Sequence, residues 1–115
     1  MRAAIPGAAA VVAGLASQAG AQPAPDFVRA AELYKQAADE MTAGQLAEAA
    51  RDFAAAYDLI HDPILLLRVA AAQDQAGGCA AAIEPYRRYL TEAKVDDPSR
   101  AVAEDRLVAC GAQVR

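Results

Sequence analysis

The chain repeats itself. Leu33, Ala37, Gly44, Ala49, Phe53 and Tyr57 recur 33 residues later as Leu66, Ala70, Gly77, Ala82, Tyr86 and Leu90. In each copy a small residue precedes the Gly by seven positions, and an Ala-x3-aromatic follows it by five. A period in the low thirties with this content is the mark of stacked helical hairpins. Such a unit cannot bury its own apolar face, so it folds by packing against its neighbours. The pattern points to a chain that holds something rather than one that does chemistry.

The first 21 residues read as an address label. Met1-Arg2 gives a short positive start, and Ala3 to Ala16 are almost all apolar or small. Ala19-Gly20-Ala21 then fits a small-x-small cleavage site, which makes residues 1–21 a secretory signal peptide. A membrane anchor is the weaker reading, because the apolar run is too short and carries Pro6, Gly7 and Gly14; a span needs roughly 20 residues. No Cys lies near the cleavage site for a lipid anchor. The preference for Arg over Lys and the abundance of Ala suggest a GC-rich bacterial gene. Export then predicts the periplasm or the cell exterior, with no stable membrane insertion after cleavage. Residues 22–26 form a linker, 27–112 the helical domain and 113–115 a short tail.

The whole chain has 11 basic and 15 acidic side chains. Loss of Arg2 takes the net charge from −4 to −5. That balance argues against nucleic acid, which wants a basic face, and against an anionic membrane surface.

Helix signals follow one another along the domain. Asp26 is placed to cap a first helix over 27–42, which Gly44 ends. Leu46, Ala49, Ala50, Phe53, Ala56, Tyr57 and Ile60 fall at helical spacing over 46–60. His61-Asp62-Pro63 is a boundary, because Asp caps and Pro at the first helical position loses no bond. The third helix covers 63–76 and breaks at Gly77-Gly78. A fourth covers 80–93, with a frayed or tightened first turn expected from Pro85, which lacks an N–H and crowds the carbonyl of Ala81. Asp97-Pro98 repeats the Asp-Pro boundary, and a fifth helix covers 99–110 with Ala103, Leu107 and Cys110 on one face. No segment alternates as a strand does. The fold class is all-α.

At these residues the chain resembles the tetratricopeptide repeat family. One copy spans about 30–63 with Leu33, Ala37, Gly44, Ala49-x3-Phe53, Ala56 and Pro63. The second spans about 64–97 with Leu66, Ala70, Gly77 and Ala82-x3-Tyr86, with Pro98 just beyond. The departures are Ala37 and Ala70 where the family has Gly, Glu40 and Gln73 where it has a first-helix aromatic, and Tyr89 for a second-helix Ala. The resemblance implies a right-handed α-solenoid of two hairpins plus a C-terminal capping helix. It also implies a concave groove for a peptide or partner protein. That groove would be lined by Tyr34, Ala38, Met41 and Thr42, then by Leu67, Arg68, Ala71, Asp74 and Gln75. The family's carboxylate clamp does not carry over, since the chain has no Asn.

Little suggests catalysis. His61 is the only His, at a helix end where a cation is favoured. Cys79 and Cys110 lack the short C-x2-C spacing of zinc sites. The pairs Asp39-Glu40, Asp96-Asp97 and Glu104-Asp105 are neighbours that diverge by about 100° on a helix, so they cannot share a proton. Arg87-Arg88 reads as a solvated basic spot. No enzyme activity, cofactor or metal is expected.

An antiparallel fourth and fifth helix would bring Cys79 and Cys110 to the same level. They are therefore expected to form a disulfide, with two buried free thiols as the alternative. Arg100, Glu104, Asp105 and Arg106 would give the last helix a polar outer face, favouring a monomeric binding module over self-association through the repeat faces.

Overall fold

A computed structural model describes residues 24–111, and every regular element among them is an α-helix. The expected signal peptide and the C-terminal tail lie outside the described residues, as do residues 22 and 23 of the linker. The helices are α1 (Pro25–Thr42), α2 (Leu46–Ile60), α3 (Pro63–Gln75), α4 (Cys79–Glu92) and α5 (Arg100–Ala109). Among the described residues, substantial packing joins only helices consecutive in the chain.

Both repeat copies close their first helix in the same way. Gly44 (φ 78°) and Gly77 (φ 87°) occupy the left-handed region, where a Cβ is strained. The amide of Gln45 donates to Glu40 O at 2.8 Å, and that of Gly78 donates to Gln73 O at 3.1 Å. Those bonds, 33 residues apart, reverse the chain identically in each copy and lay α2 on α1 and α4 on α3.

The end of α2 uses a different device. His61 itself takes the left-handed conformation (φ 51°), and its amide donates to Tyr57 O at 2.7 Å. Asp62 Oδ1 then accepts the Ile64 amide at 3.1 Å, with Pro63 at the first helical position. Asp97 Oδ1 accepts the Ser99 amide at 2.8 Å and shapes the turn into α5.

The small residues mark where helix backbones meet. Ala37, Ala49, Ala56, Ala70, Ala72, Ala82 and Ala103 are all fully buried. Around them lie Leu33, Phe53, Leu65, Leu66, Val69, Tyr86, Tyr89 and Leu107. No polar or charged residue joins the core among the described residues.

Three local expectations are corrected. α1 begins at Pro25, and Ala24 caps it without a side-chain bond. Pro pre-sets the helical φ at the first position, so Asp26 falls inside the first turn and acts there only through its charge. α4 begins at Cys79 and runs through Pro85 without a break. The ring of Pro85 is buried, and Ala81, whose carbonyl loses that partner, sits at an exposed position. The outer face of α5 is less polar than expected. Arg100 turns inward and donates to Leu90 O at 2.8 Å and Ala93 O at 3.3 Å, satisfying the last carbonyls of α4. Arg106 is held by Asp74. The exposed positions of α5 carry Val102 and Val108 beside Glu104, Asp105 and Arg106.

Candidate functional site

The residues expected to line one groove separate into two places. The first is a hollow of about 330 Å³ where α1 faces the start of α3, lined by Phe27, Ala30, Ala31, Tyr34, Ile64 and Leu65, with Ile60 and Asp62 at its edge. Phe27, Ala31 and Tyr34 share one face of α1, at i, i+4 and i+7. Phe27 is 61% exposed and Tyr34 38%. The Tyr34 ring is fixed edge-on to Phe53 at 5.4 Å between centroids. The Arg68 guanidinium stands 6.0 Å from the Tyr34 ring centre, at the limit for attraction to the ring face. Ala38 is exposed, while Met41 and Leu67 are half-buried and pack against the core.

The second place is a hollow of about 300 Å³ at the other end, lined by Ala71, Asp74, Gln75, Tyr86, Val102 and Arg106. Here Asp74 is held from inside the molecule. Its Oδ2 accepts from Arg106 Nε at 2.7 Å and from the Tyr86 hydroxyl at 3.1 Å, and its Oδ1 accepts from Arg106 Nη2 at 3.0 Å. The bonds from Arg106 hold the Asp74 carboxyl below its ordinary range, against a smaller opposing effect of burial. Burial first, and Asp74 second, push the Tyr86 phenol up to about 12.

The structure joins Cys79 to Cys110, with Cα atoms 5.6 Å apart. One carboxylate oxygen of Asp74 and the two sulfurs lie within 4.8 Å of one another.

A further polar cluster ties α2 to α4. The Tyr57 hydroxyl donates to Glu92 Oε1 at 2.5 Å, Arg88 lies over the Tyr57 ring at 5.2 Å, and Arg88 pairs with Glu92 at 3.6 Å. The bond to Glu92 raises the Tyr57 phenol above its ordinary value. On α1, Glu40 is raised by its hydrogen bond with Asp52 of α2, then by burial and by the charges of Asp52 and Glu48.

Sequence reasoning passed over Phe27 and Ile64. Phe27 was legible, because its spacing to Ala31 and Tyr34 is a helical stripe. The pairing of Asp74 with Arg106 had no local signal, since the partners are 32 residues apart. No helix among the described residues is long and apolar enough to cross a membrane. Comparison with family models, with curated proteins and with solved structures finds no match.

Proposed function

We propose that this chain is a tetratricopeptide-like binding module. Its two hairpins form a short right-handed solenoid capped by α5, and the groove between α1 and α3 takes a peptide or partner protein. The observation that carries this reading is the exposed strip of Phe27, Tyr34 and Arg68 beside an apolar hollow. Aromatic and Arg side chains are the usual anchors of a protein interface. A ring already fixed by Phe53 loses little freedom on binding. The signal-like N-terminus and the disulfide support a role in the bacterial envelope or outside the cell. The mature chain, crosslinked in an envelope fraction, should capture a partner that Tyr34→Ala and Arg68→Glu both lose while helicity is kept. Capture unchanged by both substitutions removes this groove as the site.

One observation favours a second reading, self-association through the repeat ends. Phe27 and Val28 are exposed on α1, and Val102 and Val108 on α5. Sedimentation of the mature chain decides it: a single monomeric species across concentration excludes this reading.

A further inference from the structure

Beside the second hollow lie three groups that the partner-binding reading does not use: Asp74, which lines it, and the bridged Cys79 and Cys110. We propose that, once reduced, Cys79 and Cys110 join Asp74 in a binding site for a thiophilic divalent cation of zinc's class, which replaces the disulfide as the lock on α5. This rests on the cluster alone and is independent of the groove between α1 and α3.

Three ligand atoms lie within 4.8 Å of one another. Two thiolates on a tetrahedral zinc, each about 2.3 Å from it, stand about 3.8 Å apart. Once the bond is broken, the sulfurs must part to that spacing. Cys110 follows the last residue of α5 and precedes Gly111, so the chain there is placed to give. Each ligand comes from a different element: Asp74 from the last turn of α3, Cys79 from the first position of α4, Cys110 from the C-terminal cap of α5. A bound ion would thus tie the same three elements together.

The charges fit. Cys79 lies on the positive end of α4, which favours its thiolate. Cys110 lies on the negative end of α5, and a bound cation removes its proton directly. Two thiolates and one carboxylate are balanced by a divalent cation together with Arg106. Three protein ligands leave a fourth position for water. Arg106 and Tyr86 are the groups that face Asp74. In the oxidised chain Arg106 holds both Asp74 oxygens, so the ion must take one of them from it.

The steps balance. An external phosphine or dithiol supplies two electrons, the Sγ–Sγ bond breaks, and each sulfur takes a proton. The phosphine leaves as its oxide, with water supplying that oxygen and the two protons; a dithiol instead gives up its own two protons and leaves as its disulfide. Metal binding then releases the two thiol protons to solvent.

The test uses the mature chain, reduced with a phosphine, desalted under nitrogen and titrated with cadmium as an ultraviolet probe of thiolate ligation, then with zinc. The expected result is a charge-transfer band saturating at one equivalent, absent from the oxidised chain, with zinc raising the melting temperature of the reduced chain. Asp74→Asn should weaken binding at least about tenfold. Arg106→Gln should tighten it, because it frees the carboxylate. The Arg106 variant keeps all three ligands, so it reports even if Asp74→Asn folds poorly. No band at one equivalent overturns the proposal. So does an affinity that neither variant changes, which would mark two exposed thiols meeting a metal by chance.

Discussion

Replacing both cysteines by serine is the sharpest test of how this short fold is held. The bridge spans 31 residues. In the chain-entropy model a loop of that length is worth about 3.7 kcal/mol. For a domain of this size that corresponds to a fall in melting temperature of roughly 15–30 °C. The loss should not be spread evenly. Among the described helices α5 packs substantially on α4 alone, and it buries only Ala103 and Leu107. Without the bridge, its remaining ties are those two side chains, the Arg106–Asp74 pair and the bonds from Arg100 to the end of α4. Hydrogen exchange should therefore show the α5 amides losing protection first, while those of α2 keep most of theirs. Thermal melts followed by circular dichroism give the global shift, and exchange read by mass spectrometry gives its location. A fall of less than about 5 °C, with α5 as protected as α2, would show that packing rather than loop closure holds the last helix. Thiol counting on the denatured, unreduced chain should find none free.

Three further outcomes follow from the charges and caps. Glu40 has a raised pKa in the fold, so its contribution is favourable below the ordinary glutamate value and is lost as pH rises through the folded one. Glu40→Gln should therefore raise the melting temperature at pH 7, and the gain should vanish toward about pH 4. Asp74 has a lowered pKa, so its contribution is present above the ordinary aspartate value and is lost as pH falls through the folded one. Asp74→Asn should cost about 1 kcal/mol at neutral pH, a figure discounted for the solvent around Arg106, and the difference should close in acid. Asp62→Ala removes the side-chain cap of α3 and should cost about 1 kcal/mol in a denaturant melt, with an unchanged slope.

What was legible in the sequence was local. Gly44, Gly77 and the Asp62-Pro63 pair each act within one turn of backbone, so the boundaries around them could be placed to within about a residue. The joining of Cys79 to Cys110 was legible for a related reason, since two antiparallel helices of known length fix which residues share a level. The start of α1 was not, because Pro25 and Asp26 both make good first-turn residues and only the backbone decides between them. Side-chain direction was harder still. Arg100 looked like surface, yet it serves the last carbonyls of α4. Arg106 looked like surface too, yet it meets Asp74 across 32 residues. The bond from Tyr57 to Glu92 spans 35. Such pairings depend on how α2, α3, α4 and α5 are set against one another, and no window of sequence contains that. The same limit applies to the candidate groove. Tyr34 and Arg68 stand together, but Asp74 belongs to the other end.

Comparing the two copies position by position explains why the polar ties collect where they do. Thirty-three residues separate Met41 from Asp74, and Phe53 from Tyr86. In the first copy these positions are apolar: Met41 packs against the core and the Phe53 ring carries Tyr34. In the second copy the same two positions bond to each other, with the Tyr86 hydroxyl on Asp74, and Arg106 of α5 completes the set. The first hairpin is followed by another hairpin, whose α3 offers Leu65, Leu66 and Val69 for burial. Apolar contact is enough there, because each buried aliphatic side chain stabilises by about 2 kcal/mol. The second hairpin is followed by one ten-residue helix that buries only Ala103 and Leu107. So small an apolar face leaves little margin against the entropy of ordering α5. Charge-assisted bonds and a covalent bridge make up the difference. The change from Met to Asp and from Phe to Tyr along the repeat is thus read as a consequence of the small apolar face that α5 presents.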